Sequence, residues 1–371
     1  MSLKHLAYGL LAALFPPRKL AGQPVRILIT RRGKLGDVLM TTPLLAGLKQ
    51  TSPDLKLAYL VAPSALAAIE NNPYVDELLV EQPGPAGRLA LIRAIRRFKP
   101  DIALMLEANP VARIAARLAR TPIRASLGGG DTACLDSHPA DWGAPRHYSE
   151  VFLDLARQAG LSVPDAPLLR EVFVPSEEAV TWAASEIAPL EPKTFIAIAP
   201  GSGKSKPRDY PSQTYQFCWP VERYIEVAIN LLGEGFGLVL LGSTEERPEV
   251  EAVRDALPAG SPVLAPLASW AKSGALLACC QALLSTDGGL CHLASAVGCP
   301  VVALFGPWDD LPGRPVGGDH VVVRSPAPCS PCIQTPWHRN PPLAKCDCLE
   351  QITVAQVMEG LKKVASCQSS A

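Results

Sequence analysis

The sequence is short of charge, of long apolar runs and, at its start, of acid. Asp, Glu, Lys and Arg make up 19% of 371 residues, and 35 basic side chains balance 35 acidic ones. Globular chains usually carry about 25%. With no net charge, recognition of nucleic acid or a strongly acidic partner by an overall field is excluded, so any attraction must be local. The apolar stretch at residues 3–15 is about a dozen residues long, against the roughly 20 that span a bilayer, which excludes a transmembrane helix there. No small-residue cleavage site follows it, which argues against a secretory signal. No G-x-G-x-x-G opens after the first apolar run of either half, so the dinucleotide fingerprint of an oxidoreductase is missing. No short-period repeat is present. No Asp or Glu precedes Asp37, although Lys4, Arg18, Lys19, Arg26, Arg31, Arg32 and Lys34 do.

At 371 residues the chain exceeds one ordinary core and predicts two domains. Four short apolar runs, at 25–30, 55–61, 75–80 and 101–107, are separated by helix-length segments. The pattern restarts at 194–200, 236–242, 282–286 and 300–306. Such βαβα alternation predicts two doubly wound parallel sheets. The expected organisation is a basic apolar helix over 1–24, a first Rossmann-like domain over 25–170, a second over 171–350, and a C-terminal helix with a polar tail over 351–371. Proline-rich residues 162–179 read as the linker. In open α/β sheets ligands sit beyond the carboxyl ends of the strands, so the chemistry is expected there, facing a shared cleft.

Several motifs fall at such ends. In 29–43, "ITRRGKLGDVLMTTP", two glycines allow a tight turn and a helix starts near Asp37, which can cap that helix or accept a proton. In "PGSGKSKP", 200–207, Gly201 and Gly203 permit close backbone approach, Ser202 adds a donor, and Lys204 or Lys206 can neutralise a phosphate; a polar turn is the simpler alternative. In "STDGGLCHLASAVG", 285–298, a strand ends at Asp287, and Gly288 and Gly289 open a helix whose amides suit a diphosphate, with His292 one turn in. Arg93, Arg96 and Arg97 form a basic helix face, either solvated or in contact with anionic headgroups. The N-terminal segment either packs on the first domain or lies in a membrane interface. The chain has eleven cysteines, most of them scattered singly, which reads as a reducing compartment. Cys329, Cys332, Cys346 and Cys348, spaced C-x2-C-x13-C-x-C, fit either a structural clip or a structural zinc site.

Together "LGDVLMTTPLL", "NPYVDELLV", "LLGSTEE", "DGGLCHLASAVGCPVVALFGPWD" and the closing cysteine segment resemble glycosyltransferase family 9, the ADP-heptose:lipopolysaccharide heptosyltransferases, in order and over about residues 25–365. The resemblance implies a GT-B fold and an inverting, metal-independent transfer that needs no cofactor beyond the ADP-sugar donor. The implied acceptor is a lipid-linked glycan, with no nucleic acid partner, at the cytoplasmic face of the cell membrane. By position it makes Asp37 the general base and places Ser202 and Lys206, with Lys204 as an alternative, on the donor phosphates. It puts Glu245, with Glu246 as the nearby alternative, on the ribose, and Asp287, Gly288, Gly289 and His292 on the diphosphate and sugar. Two departures stand out. Gly288 replaces the usual Ser or Thr, and residues 207–218 interrupt the usual short join between the lysine and Trp219-Pro220. Two other classes compete: a catalytically silent GT-B scaffold that binds nucleotide or lipid, and a dinucleotide oxidoreductase.

Overall fold

The computed structural model describes residues 3–128, 136–140, 142–164, 170–191, 194–201, 218–331 and 347–368. The chain divides into two compact units, Met1–Leu169 and Arg170–Ala371.

The first unit opens with helix α1 (Leu3–Leu14) and then builds one sheet from β1 (Arg26–Thr30), β2 (Lys56–Val61), β3 (Glu77–Val80), β4 (Ile102–Met105), β5 (Ile123–Leu127) and β6 (His138–Ala140). Every pairing is parallel, and the spatial order is β3-β2-β1-β4-β5-β6. Parallel strands need crossovers, which here include α2 (Leu35–Leu39), α3 (Thr42–Thr51), α4 (Gly84–Phe98) and α5 (Pro110–Leu118), with α6 (Tyr148–Gln158) closing the unit. One layer of core joins Leu28, Leu60 and Met105 of the sheet to Leu91, Ile95 and Phe98 of α4 and to Ala112, Ala115 and Ala116 of α5. The small alanines of α5 let that helix approach the sheet closely. Burying one such Leu or Ile contributes about 1.5–3 kcal/mol.

The second unit repeats the design. After α7 (Glu177–Ile187) come β7 (Phe195–Ala199), α8 (Val221–Gly233), β8 (Gly237–Leu240), α9 (Arg247–Asp255), β9 (Val263–Leu264), α10 (Trp270–Ala278), β10 (Ala282–Thr286), α11 (Gly289–Ala296), β11 (Val301–Phe305), α12 (Asp310–Gly313), β12 (Val321–Arg324) and α13 (Val354–Gln368). The order β12-β11-β10-β7-β8-β9 is again all parallel. The terminal helix α13 is part of this core, because Val357, Met358, Leu361 and Val364 pack with Val302, Leu304 and Val323 of the sheet and Leu231 of α8.

In each sheet the chain starts in the middle and winds outward in both directions. The order therefore reverses between β1 and β4 in the first unit and between β7 and β10 in the second. A crevice for ligands opens at such a reversal, outside the carboxyl ends of the two strands. Among the described residues, no helix is long and apolar enough to cross a membrane.

Candidate functional site

The carboxyl end of β1 leads into residues 31–37. Asp37 caps α2, as the sequence allowed, but from within the helix: α2 begins at Leu35, Lys34 occupies the N-cap position, and Asp37 is the third helical residue. From there its Oδ2 accepts the Lys34 backbone N–H at 3.0 Å. Its Oδ1 accepts from Arg31 Nη2, also at 3.0 Å. Arg31 is itself held, since Nη1 donates to the Leu106 carbonyl at 2.8 Å and the guanidinium lies 5.8 Å from the centre of the Phe152 ring. The Asp37 side chain retains 33% exposure. Gly33 is required by proximity: a Cβ built there would lie 2.5 Å from Asp37 Oδ2.

From β4, on the other side of the reversal, comes Glu107. Its Oε1 accepts the Arg32 backbone N–H at 3.1 Å, and the Arg32 side chain pairs with Glu81 beyond β3. Burial raises the Glu107 carboxyl above its usual range, an effect that Arg31 and Arg32 oppose and Asp37 reinforces. Behind them Tyr59 is fully buried on Thr41 at 2.8 Å, and burial pushes its phenol well up. The end of the first sheet thus holds three carboxylates, Asp37, Glu81 and Glu107, beside the guanidinium groups of Arg31 and Arg32.

The second reversal is built differently. Thr286 Oγ1 at the end of β10 donates to the Gly201 carbonyl beyond β7 at 3.1 Å, tying the two strand ends together. Gly201 abuts Glu246, where a Cβ would lie 2.2 Å from Oε1, and Glu246 Oε2 accepts the Ser243 backbone N–H at 2.8 Å. Glu246 is buried, whereas Glu245 is exposed. Asp287 follows β10, and its N–H donates to the Leu304 carbonyl at 3.2 Å. Gly288 takes the extended N-cap position of α11 and Gly289 its first turn. A recess beside them is lined by Thr286, Asp287, Gly306, Pro307 and Trp308. His292 lies one turn into α11 and is buried, its Nδ1 2.7 Å from Glu171 Oε1. Cys291 is inert as a nucleophile, because burial and the neighbouring Asp287 charge push its thiol up to about 12.

The family profile of glycosyltransferase family 9 (heptosyltransferase) matches residues 88–340. The chain belongs to glycosyltransferase family 9. It is a glycosyl-transferring enzyme of the heptosyltransferase type. Lipopolysaccharide heptosyltransferase 2 of Salmonella typhimurium is 25% identical over 76% of this chain and 83% of its own length. The corresponding Escherichia coli protein is 24% identical with the same coverage. Among solved structures, Escherichia coli ADP-heptose lipopolysaccharide heptosyltransferase II superposes with a TM-score of 0.73 at 23% identity, covering 93% of this chain and all of that one. A family 9 glycosyltransferase from Veillonella parvula gives 0.74 at 22% identity, over 92% and 97% of the two chains. The fold is therefore GT-B, two Rossmann-like units as expected.

The other sequence-predicted residues divide into three groups. Ser202, Lys204 and Lys206, and with them most of the 207–218 interruption, lie outside the described residues. So do Cys332 and Cys346, whereas Cys329 and Cys348 share a small apolar cluster with Ala327. Among the described residues, no group of three or more His, Cys, Asp or Glu side chains is arranged to hold a metal. On α4, Arg93 is exposed, Arg96 donates to the Leu118 carbonyl at 2.9 Å, and Arg97 pairs with Glu77 at 3.3 Å. Sequence reading passed over two residues that the family 9 fold brings beside predicted ones. Glu107 lies two residues beyond β4, the strand paired with the first, a position that the strand-end rule flags once the sheet order is known. Glu171 lies in the segment read as linker and carries no local signal.

Proposed function

We propose that this enzyme is an inverting heptosyltransferase that moves the sugar of ADP-heptose, or a related nucleotide sugar, onto a lipopolysaccharide core or similar envelope glycan, without a metal ion. The observation that supports this most is the placement of the predicted residues: Asp37, Asp287 and the two glycines that open α11 all fall at the carboxyl ends of strands flanking a reversal in strand order.

In this reading the first unit receives the acceptor. An acceptor hydroxyl approaches the exposed part of the Asp37 carboxylate, and its oxygen attacks the anomeric carbon while the proton passes to the carboxylate. Arg31 and the Lys34 amide keep the carboxylate oriented throughout. The bond from the anomeric carbon to the phosphate oxygen breaks on the opposite side, which inverts the configuration. Charge then accumulates on the departing ADP. The amides at the start of α11, with His292 and a lysine at 204 or 206, stabilise that charge. Glu245, exposed just beyond β8, is suited to the ribose hydroxyls. Ser202 is assigned to the donor phosphates.

Peripheral contact with the inner face of the cell membrane completes the proposal. Leu10 and Leu14 of α1 are 62% and 64% exposed, and the basic side chains around that helix and on α4 suit an anionic surface. The test is an ADP-release assay with ADP-heptose and truncated core acceptors, in the presence and absence of EDTA, with the product anomer read by NMR. Inverted product and EDTA-resistant turnover, abolished in Asp37→Ala, are expected. Full activity in Asp37→Ala would remove Asp37 from the mechanism.

A further inference from the structure

Glu171 has no part in the mechanism above, yet it is the carboxylate that faces a proposed donor-binding side chain. Its side chain has no exposed surface, and that of His292 retains only 5%. Oε1 meets His292 Nδ1 at 2.7 Å, while Oε2 has no hydrogen-bond partner among the described residues. A buried carboxylate is costly unless its partner brings a proton, so such a pair needs a compensating use or an excellent fit. The backbone holds the pair firmly. Phe173 N–H donates to the Ala296 carbonyl at the end of α11 at 3.2 Å. The Phe173 ring also fills the space against Gly274 of α10, where a Cβ would meet it at 2.7 Å.

We infer that Glu171 is a positioning residue for His292: its carboxylate accepts the Nδ1–H, fixes the tautomer and orientation of the ring, and commits Nε2 to the donor diphosphate. This rests on the reading of α11 as the donor site. With Nδ1 occupied, any contact to phosphate runs through Nε2. That nitrogen donates to a phosphate oxygen when the ring carries both protons, and the Glu171 carboxylate then balances its charge. The same division of labour orients histidines in other sites, where a carboxylate on one ring nitrogen fixes what the other can do. The remaining ionisable neighbours do not compete for the proton near neutral pH. Burial holds His320 down to about 4 and Cys291 up to about 12. Asp287 acts electrostatically on Cys291, and Arg170 and Asp319 act on His320.

The test is a double-mutant cycle on the full chain, reading ADP-heptose turnover and, separately, ADP binding by calorimetry. Glu171→Gln keeps the shape and the acceptor atom but removes the charge, and it is expected to lower kcat about 10- to 100-fold with a smaller change in donor KM. In a His292→Ala background the same change is expected to have no further effect, because Glu171 acts through the ring. Independent effects that multiply, or an unchanged kcat, would overturn the inference. A second readout does not depend on any variant folding: 15N-histidine NMR of the parent should show His292 protonated at Nδ1, with a strongly downfield proton. The opposite tautomer would also overturn it. If the parent released no ADP from ADP-heptose while that signal was present, the proposed function would fail and the pair would stand.

Discussion

The two strand reversals share a topology and differ in chemistry. At β1 and β4 the chain ends in charge: Asp37 accepts from Arg31 and the Lys34 amide of its own turn, and Glu107, beyond β4, accepts the Arg32 amide from the turn after β1. At β7 and β10 the described residues end in backbone: Gly201, Gly288 and Gly289 strip away side chains, Thr286 ties the strand ends, and the buried ionisable side chains include Glu246 and the His292–Glu171 pair. A proton is moved by a side chain held at a fixed angle and still reached by solvent. A diphosphate is held by amides that must come close to it. One scaffold thus supports either task, and the residues at the strand ends decide which.

Breaking the comparison at its strongest point means removing the proposed base. Asp37→Ala should lower transfer by about 100- to 10,000-fold, measured as steady-state ADP release at saturating donor. A subtler change uses the close approaches. In Gly33→Ala the new Cβ would fall 2.5 Å from Asp37 Oδ2, and in Gly201→Ala it would fall 2.2 Å from Glu246 Oε1. If the halves divide the work, Gly33→Ala should cost about tenfold or more in kcat with ADP affinity kept, because even about 1 Å of displacement at a reacting group is expensive. Gly201→Ala should instead weaken ADP binding and cost about 1–3 kcal/mol of stability, read by calorimetry and denaturant melts.

Smallest is the effect of Glu107→Gln, which sharpens the electrostatic side. Burial raises the Glu107 carboxyl above its unfolded value near 4.5, so the native chain holds this proton to higher pH than the unfolded chain does. That contribution is fully present below the unfolded value and is lost as pH rises through the native one. The variant should therefore gain melting temperature relative to the parent at pH 7 to 8, and the gain should fade towards pH 4. A constant difference across that range would mean that the charge of Glu107 is not what matters there.

Much of this was legible because buried parallel strands write themselves as unbroken apolar runs: residues of "RILIT", "KLAYLV", "FIAIA" and "VVALF" are buried along almost their whole length. The strands that escaped notice lie toward the sheet margins or carry polar residues inward. In β5, "IRASL" includes Arg124 and Ser126, both buried, and Ser126 bonds to Asp136, which also pairs with the fully buried Arg113 of α5. Such a strand reads as surface until its partners are known. β12, "VVVR", is only half buried at the edge, and β9 is two residues long. The site followed the same logic. Asp37 and the 285–298 motif were visible because glycines mark turns at strand ends. Glu171 was invisible, since its partner lies 121 positions away and nothing periodic surrounds it.

The division of labour between the halves is tested most directly by titrating ADP onto the Asp37→Ala variant by calorimetry, alongside the parent. Affinity within about threefold of the parent, a difference under about 0.7 kcal/mol, together with lost turnover is the predicted result. Loss of ADP binding in step with turnover would place Asp37 among the groups that hold the donor and contradict its assignment as the base.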